Sequence, residues 1–206
     1  RFEHCNPRLE ELVRWAEKID AARYDSVAEA LASDVPAMRL NASLAAAPSV
    51  EEHCVNLVRA LAERSVAEVA AQPEVSGPAD QVLSRQRQGL ETIRGGIRLT
   101  DDRIAVFDVS DDSGAINRYS PYHVFPEARY SAGIIRGRQG MKITSMRNPW
   151  KEFDCAPLGK LCEALGGGGH ERVGSIALAN ESGADPADLL ARLIAGIRAF
   201  EASRPS

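Results

Sequence analysis

Four consecutive glycines, Gly166 to Gly169, precede His170 and Arg172 in the second half of the chain. Successive backbone N–H groups of such a run can form a concave nest that binds an anion, because no β-carbon blocks the approach. An imidazole and a guanidinium beside the nest add hydrogen-bond donors and positive charge. The run therefore predicts a phosphate-binding site. A flexible helix-to-strand connection with a surface-exposed His170 is the alternative interpretation.

Positive charge is concentrated upstream of the glycine run, although the chain as a whole carries a net charge of -4. Between Arg118 and Lys151 a single acid, Glu127, accompanies seven basic residues: Arg118, Arg129, Arg136, Arg138, Lys142, Arg147 and Lys151. Arg136 and Arg147 lie on predicted strands, from which they are expected to project toward a ligand. This distribution indicates a local anion site, with a solvated basic surface as the alternative.

Two familiar phosphate-binding motifs do not fit the glycine run. In a Walker A loop or a dinucleotide fingerprint, the glycines follow a strand and precede a helix. Here the run follows a predicted helix and precedes a predicted strand, and the chain has no GK[ST] sequence. These two nucleotide-binding classes are therefore not supported.

Composition and cysteine usage indicate a globular protein of a reducing compartment. The 206 residues are 44% hydrophobic, which allows a sizeable core. The four cysteines show no CxxC spacing and are expected to be free thiols. No segment is long and apolar enough to span a membrane, and no signal-peptide pattern opens the chain. We therefore predict a cytoplasmic protein without a membrane partner.

The first half of the chain has the apolar spacing of helices. Ser26 with Glu29 and Ser49 with Glu52 have the spacing of capping boxes. The second box is expected to start one long helix, whose apolar stripe runs from Val50 to Val69. The segment "QPEVSGPAD" (72–80) predicts a linker or a sharp helix entry, and a polar helix follows it.

The pattern changes after Gly95 and Gly96. The segment 97–109 predicts two short strands around an Asp101-Asp102 turn, and two further strands are expected on either side of a turn over 137–140. A helix (157–165), the glycine run, a strand (173–178) and an amphipathic helix complete the chain. We therefore predict an α/β fold in which a helical first part precedes a small domain with a mixed sheet.

Two segments, "KITSMRNPW" (142–150) and "GGGGHERVG" (166–174), resemble parts of the DHHA1 domain, the C-terminal substrate-binding domain of DHH-type phosphoesterases. Such domains have a strand that ends in a Ser-x-Arg-like element, then a helix, and then GGGGH. Ser145 and Arg147 match the first part, and Gly166, Gly167, Gly168, Gly169 and His170 match the second. The resemblance implies a helical remnant of a DHH domain over 1–72, a connecting helix over 73–96 and a DHHA1-like domain over 97–206.

In that family the DHHA1 domain closes over a nucleotide or short oligonucleotide held by a DHH domain, which binds two manganese ions through Asp and His. The resemblance therefore implies Mn²⁺ as cofactor, although this chain has no intact Asp-His-His. Glu3, His4 and Cys5 stand where that triplet is expected, and Asp20 corresponds to a later metal-site aspartate. His4 and Asp20 are thus the candidate metal ligands, with a solvated surface position as the alternative for Asp20. No residue is assigned a catalytic role.

Three functions of different classes follow. The first is the C-terminal portion of a metal-dependent phosphoesterase that acts on short single-stranded oligonucleotides or phosphorylated nucleotides. Its substrate would contact the Ser145 and Arg147 element, Arg136, and the glycine run with His170. The second is a non-catalytic nucleotide- or RNA-binding module, because domains that resemble DHHA1 also occur in alanyl-tRNA synthetases. The third is a helical dimerisation unit that forms a homodimer and whose basic residues are incidental.

Overall fold

The computed structural model describes residues 7–111, 115–138 and 140–203. Helices dominate its first part and a mixed six-stranded sheet its second, which confirms the predicted α/β class. The chain divides into two compact units, Arg1–Arg87 and Gln88–Ser206. None of the described helices combines the length and the apolar composition that crossing a bilayer requires.

Helices build the first unit, and serine side chains cap the starts of three of them. Ser26 and Ser49 accept hydrogen bonds from the backbone N–H groups of Glu29 and Glu52, which confirms both predicted N-caps. The segment predicted as a linker or helix entry (72–80) forms the first turns of the last helix. The helices are α1 (Pro7–Asp20), α2 (Val27–Ala30), α3 (Pro36–Ala46), α4 (Val50–Glu63), α5 (Val66–Ala70) and α6 (Pro73–Gly96).

The helix predicted to run from Val50 to Val69 is interrupted, which corrects the expectation from its apolar stripe. α4 ends at Glu63, and Ser65 starts α5 through a reciprocal capping box with Glu68. Ser65 Oγ accepts from the Glu68 N–H at 3.3 Å, and the Glu68 carboxylate accepts from the Ser65 N–H at 2.8 Å. The new helix start places Val69 in the core of the first unit, where it is fully buried.

Replacing Ser65 with alanine is expected to lower the free energy of unfolding by about 1 kcal/mol, because the first turn of α5 loses its cap. Urea denaturation followed by circular dichroism measures the change. Ser84→Ala is the matched control, since Ser84 is exposed in the interior of α6 and caps nothing. Equal stabilities of the two variants would contradict the role of the capping box.

The second unit contains the sheet. The structure confirms the strands predicted around the Asp101-Asp102 turn, around the 137–140 turn and over 173–178, whereas α7 and β5 were not predicted. After α6, the elements are β1 (Ile97–Leu99), β2 (Ile104–Ser110), α7 (Ser120–Val124), β3 (Tyr130–Gly137), β4 (Gly140–Arg147), α8 (Leu158–Glu163), β5 (Gly168–His170), β6 (Val173–Leu178) and α9 (Pro186–Ala202).

The strand order is β1-β2-β3-β4-β6-β5. β2 and β3 are parallel, and every other neighbouring pair is antiparallel. Helices α8 and α9 cover one face of the sheet, where Leu158, Cys162 and Leu193 pack on Ile143 and Ile176 in a fully buried core. We call this side of the sheet the covered face.

The other side of the sheet is covered unevenly. Toward β2, Ile93 from the end of α6 packs against Phe107 and Val109, and all three are buried. Toward β4 and β6, in contrast, Lys142 and Ala177 are exposed. The fold therefore leaves part of one sheet face accessible.

Candidate ligand-binding face

The first two glycines of the run end α8. Gly166 has a φ of +88°, a left-handed conformation that favours glycine. Its N–H donates to the Glu163 carbonyl at 3.0 Å, and the Gly167 N–H donates to the Cys162 carbonyl at 2.8 Å. This pair of bonds is the Schellman motif of helix C-termini. The amides of Gly166 and Gly167 are thus occupied within the chain and form no open anion nest.

The remaining glycines build an edge strand against α8. A β-carbon on Gly159 would lie 2.6 Å from the His170 carbonyl oxygen, so the helix backbone contacts β5 directly. Gly169 has a φ of +148°, and a β-carbon there would collide with the Val173 carbonyl oxygen. At Gly168, however, nothing lies within 4 Å of the position that a β-carbon would occupy, so that point of the backbone is open.

One backbone amide of β5 faces outward. The Arg147 N–H donates to the Arg172 carbonyl, so Arg147 and Arg172 form a hydrogen-bonded pair between β4 and the residue that precedes β6. Hydrogen-bonded pairs recur every second residue in antiparallel strands, so the backbone N–H and C=O of Gly174 also point toward β4. Gly169 is paired with Gly174, and this pair therefore exchanges no hydrogen bonds. The Gly169 N–H consequently points to the outer edge of the sheet, the one amide of the predicted nest that the ladder leaves accessible.

Adding a methyl group is expected to change the stability of the fold at Gly167 but not at its neighbour Gly168. Gly167→Ala would place its β-carbon against the Ser175 carbonyl oxygen and should lower the free energy of unfolding by about 1–3 kcal/mol. Gly168→Ala should change it by less than about 0.5 kcal/mol, because the position is open. Urea denaturation of both variants tests the pair. A destabilised Gly168→Ala variant beside an unaffected Gly167→Ala variant would contradict this packing.

Alternation along the strands separates the predicted site residues. Side chains point to opposite faces in turn, and residues paired on neighbouring strands share a face. Ser145 and Arg147 lie on the covered face. His170 is paired with Val173, which is paired with Met146, so His170 lies on the other face. The structure therefore does not bring the predicted phosphate ligands Arg147 and His170 together.

Arg147 holds the segment that follows β4. Its side chain is 4% exposed. One terminal nitrogen donates to the carbonyl oxygens of Lys151 and, at 3.1 Å, of Phe153. The guanidinium also lies 4.7 Å from the centroid of the Phe153 ring, and the Arg129 guanidinium lies 4.3 Å from the same centroid. Arg147 is thus placed to stabilise a loop, which differs from the ligand contact expected from the sequence.

Arg147→Ala is expected to lower the free energy of unfolding by about 2–3 kcal/mol, because two carbonyl groups lose a charged donor. Arg172→Ala is the control: its side chain is exposed and should affect stability by less than about 0.5 kcal/mol. Thermal and urea denaturation measure both. An Arg147→Ala variant of normal stability with reduced phosphate affinity would favour the ligand contact instead.

Arg136 lies far from the other predicted residues. It forms two hydrogen bonds of 2.7 Å to the Asp108 carboxylate, and this pairing raises the pKa of the guanidinium. Arg136 is paired with Met141 on β4, whereas Arg147 is paired with Tyr130. The two arginines are therefore roughly 20 Å apart along the strands. Ser145, which is fully buried, is likewise not accessible to a ligand.

The side of β4, β6 and β5 that faces away from α8 and α9 carries four polar side chains and no acidic one, and of its eight residues only Met146 is buried. We call it the open face and define it by eight residues of β4, β6 and β5: Lys142, Thr144, Met146, Val173, Ser175, Ala177, Gly168 and His170. Thr144, Ser175 and Gly168 form one row across three strands, with Lys142 and His170 exposed on either side of it. Within the described residues, the side chains of Lys142, Thr144, Ser175 and His170 form no hydrogen bond or ion pair.

Of the polar residues on the open face, only His170 was predicted as a ligand from the sequence. Lys142 was expected only as one of several basic residues. The sequence signal for Thr144 and Ser175 is the alternation in "KITSM" and "RVGSIA". In each strand a hydroxyl residue is the neighbour of a buried isoleucine, Ile143 or Ile176, and its side chain therefore points to the opposite face of the sheet. That signal indicates a half-buried strand and says nothing about a ligand.

The described residues include only one of the two predicted manganese ligands. Asp20 is exposed at the end of α1. In the ranges 7–111, 115–138 and 140–203, no three His, Cys, Asp or Glu side chains are grouped so that they could hold a metal ion. His4, the other predicted ligand, lies outside the described residues, as do Glu3 and Cys5.

The two described thiols of the second unit, Cys155 and Cys162, are unsuited to nucleophilic chemistry. Burial raises the pKa of Cys162 to about 11 and also raises the pKa of Cys155. Both groups are therefore protonated thiols near neutral pH. Because the thiolate is the nucleophilic form of cysteine, neither is an effective nucleophile under these conditions. The arrangement supports ligand binding on the open face more than it supports covalent chemistry in the second unit.

Comparison with solved structures shows that the chain shares its fold with proteins of known structure. The chain matches the pGpG-specific phosphodiesterase PggH from Vibrio cholerae with a TM-score of 0.74 and 20% identity, over 92% of this chain and 66% of that one. It also matches RecJ from Thermus thermophilus, solved in complex with Mg²⁺, with a TM-score of 0.51 and 15% identity. That match covers 87% of this chain and 28% of RecJ. No protein-family model and no curated protein matches the chain.

Proposed function

We propose that the second unit is the substrate-binding part of a phosphoesterase and that its open face binds the phosphate groups of a phosphorylated nucleotide or short oligonucleotide. The fold likeness to a pGpG-specific phosphodiesterase and to RecJ supports the class of reaction. The chain spans 66% and 28% of the lengths of these two proteins, so the activity belongs to the proposal. Residues 97–206 are, in this proposal, the DHHA1-like domain.

The observation that carries the proposal is the pattern of groups on the open face. Lys142 and His170 are exposed donors on either side of the row that Thr144, Ser175 and Gly168 form. Ammonium, imidazole and hydroxyl groups all donate hydrogen bonds to phosphate oxygens. The missing side chain at Gly168 lets a ligand approach the sheet backbone. Because no carboxylate lies on this face, an anion meets no repulsion from the sheet itself.

Strand geometry also sets the size of the ligand. Lys142 and His170 are separated by two strand spacings and by four residues along a strand. Their Cα atoms are therefore roughly 16 Å apart. One phosphate cannot contact both backbone positions closely, whereas the long lysine side chain and a ligand with two phosphate groups bridge this distance. The proposal accordingly favours a short phosphorylated chain over inorganic phosphate.

Of the substrate-binding residues predicted from the sequence, the proposal keeps Gly168, Gly169 and His170. It adds the hydroxyl row and Lys142. Ser145, Arg147, Gly166 and Gly167 take structural roles in covering the sheet and in ending α8, and Arg136 pairs with Asp108. Manganese dependence, the homodimer and the cytoplasmic location stay predictions.

A binding module without hydrolysis is the second candidate. It is favoured by the described residues, which provide no group of three donors for a metal ion. Both candidates share the open face and differ only in what happens to the bound phosphoester. Product analysis therefore separates them once binding has been established.

Lys142→Ala and His170→Ala are each expected to weaken binding of a 5′-phosphorylated dinucleotide by about 1–3 kcal/mol, the cost of losing a charged hydrogen bond. Isothermal titration calorimetry at fixed salt measures the affinity. Lys160→Ala is the matched control, since Lys160 is exposed on α8, the helix on the covered face. It removes the same charge and should leave binding unchanged.

Product analysis of the same protein–ligand mixtures distinguishes the phosphoesterase from the binding module. With Mn²⁺ present, release of mononucleotides would support the phosphoesterase, and binding without products would favour the module. Equal affinities of the Lys142 and His170 variants and the parent chain would refute the open face as the binding site. No heat from the parent chain with any phosphorylated ligand would refute the proposed function altogether.

A further inference from the structure

Three aromatic rings cluster beside the open face. Trp150 follows β4 by three residues, and its backbone N–H donates to Asn148 Oδ1 at 3.0 Å. Its ring centroid lies 5.6 Å from that of Tyr119 and 6.2 Å from that of Tyr122, with interplanar angles of 57° and 78°. Tilted and edge-on contacts of this kind hold an aromatic ring in a defined orientation. The Trp150 ring is therefore fixed before any ligand arrives.

Tyr122 anchors the cluster to the sheet. Its hydroxyl donates to the Met146 carbonyl at 2.6 Å and lies 3.1 Å from Ser131 Oγ, which can donate in return. Met146 is paired with Val173 on β6, and Val173 is paired with His170 on β5. The cluster and His170 thus lie at the same end of the sheet, with two strand spacings, about 10 Å, between the strands that carry them.

Burial distinguishes Trp150 from its neighbours. Tyr119 and Tyr122 are 4% and 1% exposed, whereas Trp150 is half-buried. Part of the indole surface is therefore accessible although the ring is held by two buried tyrosines. The Arg118 guanidinium, 5.4 Å from the Tyr119 ring centroid, adds an exposed cation at this edge of the cluster. A fixed, partly exposed indole beside phosphate donors is the arrangement on which nucleic-acid bases stack.

We infer that Trp150 is a stacking platform for one base of the ligand whose phosphates bind the open face. The inference rests on the proposed function and extends it, because the open face itself offers only groups that contact phosphate and sugar. Trp150 follows the end of β4 at which Met146, Val173 and His170 are paired across the sheet, so the indole and His170 lie at the same end of the open face.

The chain offers a direct reporter, because it contains only two tryptophans. Trp15 lies on α1 in the first unit, so Trp15→Phe leaves Trp150 as the single source of indole fluorescence. We expect a 5′-phosphorylated dinucleotide to quench this fluorescence. The 5′-phosphorylated abasic dinucleotide, which carries the same phosphates without bases, should bind more weakly and leave the fluorescence unchanged.

Affinity provides a second readout. The parent chain is expected to bind the dinucleotide about tenfold more tightly than the abasic ligand, the scale of one stacked base. Trp150→Leu should bring this ratio close to one without changing the affinity for the abasic ligand, and Trp150→Phe should keep most of the ratio. Circular dichroism checks that both variants fold, and the quenching arm tests the inference even where Trp150→Leu does not fold.

The outcomes separate the two proposals. Dinucleotide binding that leaves Trp150 fluorescence unchanged, with equal affinity for the abasic ligand, would overturn the stacking platform and keep the proposed function. Absence of binding by both ligands would overturn the proposed function and this inference with it. Quenching that persists in the His170→Ala variant at higher ligand concentration would support a base contact that is separate from the phosphate contact.

Discussion

The close approach of α8 to the sheet is the constraint on which the second unit depends. The helix backbone at Gly159 meets the backbone of β5, and a β-carbon on Gly174 would lie only 2.5 Å from Cys162 Sγ and 2.6 Å from the Leu158 carbonyl oxygen. Glycines are needed because the helix and the strands approach so closely that no room remains for a side chain between them. This packing buries the central part of one face of the sheet, around Ile143 and Ile176. It thereby determines which face remains for a ligand.

A buried cation links the sheet to the segment that carries Trp150. Arg147 is the last residue of β4, and its guanidinium donates to carbonyl oxygens on both sides of Glu152. These bonds satisfy one terminal nitrogen of the buried guanidinium, so the loop and the arginine determine each other's conformation, whereas the Arg147 Nε is buried without a partner among the described residues. Asn148 adds a hydrogen bond of 2.8 Å to the Ala128 carbonyl. The loop that carries Trp150, at the edge of the open face, is therefore held by Arg147, whose side chain lies on the covered face.

Sequence patterns were sufficient where local chemistry and tertiary structure agree. Strand alternation predicted β3 and β4, and serine caps predicted the starts of α2 and α4. The stripe from Val50 to Val69 was misleading, because the capping box at Ser65 starts a new helix within it. β5 escaped prediction since glycines have no strand preference, and only pairing with β6 makes them a strand. His170 was predicted as a ligand from its residue type, and the structure shows that it is exposed. The burial of Arg147, in contrast, depends on loop carbonyls that no local pattern reveals.

The chemistry of the open face limits what it can distinguish. In the proposed function, Lys142, His170 and two hydroxyl groups contact phosphate and sugar oxygens, which are the same in every nucleotide. Gly168 widens access without adding a contact that depends on the base. Any preference among ligands must therefore arise at the rim, where Trp150 meets a base through its π-face. Because every base has a π-face, stacking on Trp150 tolerates all bases, so the proposed site would select a phosphorylated nucleotide chain as a class and would discriminate little within it.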